Sequence, residues 1–173
     1  MTITPESVDV LDTLLGITPG TELHRVRHAR DKVLAATQSS HAQFFDPQLT
    51  DNLALSERLW VAYFAIHLTP NPLLAEYYLE QLQGLNVDPA WVAAVSAGQL
   101  EALGDHRLQA ILVFTRTLIE RPVEGDRQAL VVLQQAGLST AEIVLLSQLI
   151  AFLSYQVRLA AGLAALLSAG AAS

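Results

Sequence analysis

Cysteine is absent from this sequence. No disulfide can form, and no thiolate is available to attack a peroxide or to pass through a sulfenic acid. Positive charge is scarce as well. Ten Lys and Arg stand against seventeen Asp and Glu, a formal net charge of −7. Nucleic acid is therefore not expected as a partner, because phosphate binding needs a basic surface. The one basic cluster, Arg25, Arg27, Arg30 and Lys32, is diluted by Glu22 and Asp31 and reads as a solvated helix face. Aromatic residues are only 6% of the chain, and no Gly-rich phosphate loop is present. The opening stretch, MTITPESVDV, has neither a basic segment nor an apolar core, so no signal peptide is expected and a cytoplasmic location is the default.

What remains is apolar. Of 173 residues, 51% are hydrophobic and 16% are charged, a composition that fits one domain (1–173) with its own core. Leu, Ala and Val dominate, which favours helices packed closely through small residues. Residues 143–157 and 159–173 carry no charge. Each run falls short of the roughly 20 apolar residues a membrane span needs, and Arg158 would sit in mid-span. The segment is expected to be a buried bundle helix or a subunit interface, with no membrane partner.

Helix punctuation is dense. Thr4-Pro5-Glu6 reads as a cap, first helical residue and acidic first turn for a helix that Gly16 ends near Leu15. Thr21 caps a long polar helix expected to reach about Phe45, before Asp46-Pro47 breaks it. A helix from about Ala54 to Leu68 places Trp60, Phe64 and His67 on one face. Pro72 opens the next, Asp88-Pro89 a short one, and Gly104-Asp105 another, which carries Leu108, Ile111, Leu112, Thr115 and Leu118 in a stripe and stops at Arg121-Pro122. Gly125-Asp126 starts a helix to Ala136. Gly137 suits a left-handed position after it, and Ser139 with Glu142 has capping-box spacing for a last helix to about Ser168 with a fraying tail. The expectation is an all-α domain of about eight helices.

Three segments carry a family resemblance: LSERLWVAYFAIHL over Leu55–Leu68, the stretch 107–163 containing LIERP, LQQAGLS and EIVLLSQLIAFLSYQVRLAAGL, and the stretch 8–45. Together they resemble the carboxymuconolactone decarboxylase superfamily on its alkylhydroperoxidase-D-like side, and within it a cysteine-free subfamily without an established activity. The resemblance implies an AhpD-like helical bundle that forms homo-oligomers (dimers, trimers or hexamers) and that accompanies a cysteine-bearing sister protein. In the peroxidase members an acidic residue is followed by Cys-x-x-Cys and a histidine. Glu57 matches the acidic start, while the cysteine positions fall near Asn71 and Leu74 and the histidine position near Tyr78. Asn, Leu and Tyr cannot attack a peroxide or resolve a sulfenic acid. Thiol peroxidase activity is therefore expected to be absent, and the first reading is a non-catalytic or thiol-independent subunit.

The alternative is a cofactor-free acid/base enzyme of decarboxylase or isomerase type, acting on a small carboxylic acid or lactone. Such chemistry needs a base and a carboxylate-binding cation in one pocket. The candidates are Glu57, Tyr63, His67 and Arg158, with Tyr63 and His67 four apart on one helix face. Each has a simpler reading. His67 suits a helix C-terminus, bonded to a carbonyl. Glu57 suits a helix first turn, paired with Arg58 or another neighbour. Arg158, alone in an uncharged helix, suits a buried anchor for Glu57 or Glu142. Trp60, Tyr77 and Tyr78 read as core or pocket wall. His24 and His28 have a zinc-compatible spacing, but a third ligand would have to come from His41, Asp31 or another chain, and no H-E-x-x-H context supports it. No metal and no cofactor is expected.

Overall fold

In the computed structural model, which describes residues 9–50 and 52–171, nine α-helices and two short 3-10 turns follow one another without a strand among the described residues. The all-α expectation holds. The helices are α1 (Val10–Leu15), α2 (Glu22–His28), α3 (Asp31–Phe44), α4 (Leu55–Leu68), α5 (Pro72–Gln83), α6 (Pro89–Ser96), α7 (His106–Glu120), α8 (Arg127–Gln135) and α9 (Thr140–Ala171).

Helix α4 forms the axis. Residues from Arg58 to Ile66 are all buried, and a helix apolar on every side belongs inside a bundle. It packs on α5, α7 and α9. The α7 stripe faces inward as its spacing requires, with Leu108, Ile111, Leu112 and Thr115 buried. On α9, Leu146, Leu149, Leu153, Val157 and Leu163 turn into the same core. A polar bridge crosses it: the fully buried Tyr78 hydroxyl donates to Gln156 Oε1 at 2.6 Å, and burial, with Tyr77 nearby, pushes the phenol well above its ordinary range.

Local capping chemistry sets most boundaries. Asn71, Asp88, Asp105 and Asp126 each accept a backbone N–H in the first turn of their helix. Gly137 adopts φ +88° and Leu138 N–H reaches back to Leu133 carbonyl at 3.0 Å, closing α8 before Ser139 and Glu142 cap α9 reciprocally.

Three expectations need correction. The start at Thr4-Pro5-Glu6 lies outside the described residues, but Asp9 is extended and its carboxylate accepts Asp12 N–H, so α1 begins at Val10. The long polar helix after Thr21 is two helices. Arg30 leaves the helical region (φ −109°, ψ 58°), and α3 restarts at Asp31. The last helix runs past Ser168 to Ala171, in keeping with the high helix propensity of alanine.

Candidate functional site

Glu57 sits in the first turn of α4. Its Oε2 accepts Ala54 N–H at 2.8 Å, and its Oε1 accepts Arg107 Nε at 2.6 Å. Arg107, from the start of α7, also donates to Glu142 Oε1 and to Gly137 carbonyl at 2.9 Å. One guanidinium therefore ties the N-termini of α4 and α9 and the α8–α9 turn. The Glu57 bond and then the other carboxylate hold Arg107 above its ordinary range despite partial burial. For Glu142, burial is outweighed by the Ser139 bonds and by Arg107, so its carboxyl is depressed.

Arg107 fills the role expected of Arg158. Arg158 is exposed, and its Nη1 donates to Ser154 carbonyl, one turn back on α9. It faces solvent because α9 is amphipathic in burial: Gln156, Val157 and Ala160 point into the bundle, and position 158 points away from it. The buried arginine is Arg58, with no exposed surface. It donates to the carbonyls of Phe44 at 2.6 Å and Asp46 at 3.0 Å, which pins the α3–α4 connection, and burial lowers its pKa. Glu57 is thus paired with Arg107 and not with Arg58.

Tyr63 and His67 are neighbours, their ring centroids 4.3 Å apart. The Tyr63 hydroxyl shares a 2.6 Å hydrogen bond with Ser96 Oγ, and His67 Nδ1 donates to Tyr63 carbonyl at 2.9 Å. Glu57 lines a cleft of about 330 Å³ with Ser56, Trp60, Trp91, Asp105 and Leu108, and neither Tyr63, His67 nor Arg158 lies on that wall. The four candidates are not brought around this one cleft. At the positions matched to the peroxidase site, Asn71 caps α5, Leu74 is core, and Tyr78 is the buried donor to Gln156.

A larger cavity of about 1050 Å³ lies among α1, α2 and α3. Its geometry starts with a tight reversal. Gly16 at φ +64° ends α1, Ile17 N–H bonds Asp12 carbonyl at 2.9 Å, and Thr21 Oγ1 caps α2 by accepting His24 N–H. That turn brings α2 back over α1. Asp12, His24 and His28 each offer a ligand atom, all within 4.8 Å of one another. The two imidazoles stack at 3.8 Å, and His28 Nε2 lies 2.7 Å from Asp12 Oδ2. Arg27 bonds Asp12 Oδ1 at 2.6 Å and also reaches Asp9. Its side chain is only 8% exposed, so it departs from the solvated face expected of the basic cluster. Burial opposes its charge, but the two aspartates hold it raised. Of the proposed third partners for the histidines, Asp31 lines the cavity while His41 is buried among Phe45, Tyr77 and Phe152. Asp12 carried no spacing signal, because only the reversal at Gly16 brings it to α2.

No protein-family model matches the chain, and no curated protein matches it.

Proposed function

We propose that this chain is a thiol-independent helical assembly subunit of AhpD-like type, which associates with further copies of itself through the outward face of α9. One observation carries the reading. Helix α9 has 32 residues and is long and apolar enough to cross a membrane by length and composition, yet 44% of its most apolar window is buried in the bundle. The opposite side presents Val144, Ala151, Tyr155, Gly162 and Leu166 to solvent, interrupted by Gln148 and Arg158. The exposed small residues Ala161, Gly162 and Ala165 let a second helix come close, and an exposed, largely apolar helix face on a folded domain is a common mark of an interface. A cysteine-bearing relative, the partner that the family resemblance implies, would meet the same face. Insertion of α9 in a bilayer is disfavoured, because it would pull Leu146, Leu149 and Leu153 out of the core.

The test compares the native chain with Val144→Glu and Leu166→Glu by size-exclusion chromatography with light scattering. The native chain should elute at a multiple of 18.7 kDa, and each variant should shift toward the single-chain mass with unchanged helicity. Assembly untouched by both charges would defeat the proposal.

A further inference from the structure

We propose that Asp12, His24 and His28 form a binding site for one divalent transition-metal ion of the zinc, cobalt and nickel class, facing the cavity among α1, α2 and α3. The site is independent of the α9 interface. Two imidazoles and one carboxylate are the donor set that borderline cations take, and it discriminates against magnesium and calcium, which prefer all-oxygen shells. The three ligand atoms, within 4.8 Å of one another, are close enough to close on a single ion through small side-chain rotations.

Three further features point the same way. First, the aspartate is prepared. Arg27 Nε holds Oδ1 at 2.6 Å, so Oδ2 is turned toward the histidines. An outer partner that fixes a ligating carboxylate in this way is the usual companion of a metal site. Second, the charge is right. The cavity wall contains Asp9, Asp12 and Asp31 and no Lys or Arg. Arg27 neutralises part of that charge from behind, which leaves a negative pocket for a dication. Third, the site is open. Protein supplies three donors, and the side facing about 1050 Å³ of space is free for water or a ligand molecule. The two imidazoles, four apart on α2, lie nearly parallel with centroids 3.8 Å apart, so they share one side of the helix.

The experiment uses the untagged chain, washed with chelator, titrated with Zn²⁺ by calorimetry and with Co²⁺ by visible absorption. With no thiol in the chain, any intense Co²⁺ band reports nitrogen and oxygen ligands in a low-coordinate site. The expected result is one saturable equivalent and a melting temperature that rises with Zn²⁺ concentration. His24→Gln should remove saturable binding and leave the fold intact, since among the described residues its side chain makes no hydrogen bond or ion pair, and His28→Gln should remove binding too. Asp12→Asn, checked for native helicity, should weaken uptake at least severalfold. His106→Gln, an exposed histidine elsewhere, should bind as the native chain does. Absence of saturable uptake at millimolar metal, or uptake retained in His24→Gln, or uptake unchanged in a folded Asp12→Asn, would each overturn the site.

Discussion

Replacing Arg107 with methionine should weaken the fold measurably. The guanidinium makes three hydrogen bonds, two of them to carboxylates on different helices. The other oxygen of each carboxylate stays on a cap, Ala54 N–H for Glu57 and Ser139 N–H for Glu142. Losing Arg107 therefore does not release the carboxylates. It leaves two negative charges, with side chains only 16% and 15% exposed, without their shared cation. Two hydrogen bonds between charged groups have a ceiling of about 3–6 kcal/mol. The Arg107 side chain is 29% exposed, so solvent screening trims that to about 2–4 kcal/mol. For a domain of this size the melting temperature should fall by roughly 4–16 °C. The assay is calorimetric melting of Arg107→Met beside Arg158→Met, which should stay within about 0.5 kcal/mol of native. A double-mutant cycle of Glu57→Gln and Glu142→Gln should be non-additive, because both act on one cation. If Arg107→Met melts like the native chain, or Arg158→Met loses as much, the clamp is misassigned.

Other consequences are equally concrete. Burial lowers the His41 pKa from 6.5 to about 4, with Asp9 opposing. The unfolded chain takes this proton as pH falls through 6.5 and the folded chain refuses it until about 4, so stability drops across that window by up to about 3 kcal/mol. His41→Phe should flatten that part of the stability profile, measured by urea unfolding at stepped pH. Tyr78→Phe strands Gln156 Oε1 in the core and should cost about 1–3 kcal/mol, part of which Gln156→Leu in the same chain should restore. Leu112→Ala, at a fully buried position of α7, should cost about 2–5 kcal/mol by chemical denaturation.

Much of the architecture was legible because helix ends are written locally. Asp88 and Asp105 as caps, Pro72 as a first residue, Gly137 in the left-handed region and the Ser139–Glu142 box all depend on neighbours within a few residues. The break at Arg30 was not legible. No Gly or Pro marks it, and α2 is oriented by Arg27 reaching Asp9, the cap of α1, and Asp12 within α1. Candidate chemistry was harder for the same reason. The lone charge in an apolar run made Arg158 conspicuous, yet periodicity fixes faces only relative to one another and does not say which face is covered. Arg107 stood in an ordinary polar first turn and gave no signal. The His24–His28 pair was visible from its spacing, while Asp12 joins it only through the turn at Gly16.

The account rests most heavily on the uncovered side of α9 meeting its counterpart in another copy. The absence of native cysteine makes this directly measurable, because a single Ala151→Cys is the only thiol in the molecule. Helices packed face to face lie about 8–10 Å apart. Under mild oxidation Ala151→Cys should form an inter-chain disulfide rapidly, and a spin label there should report a short, narrow inter-copy distance, whereas Val123→Cys, an exposed position on the α7–α8 connection, should do neither. Equal and slow cross-linking at both positions, with no defined distance at 151, would contradict the account.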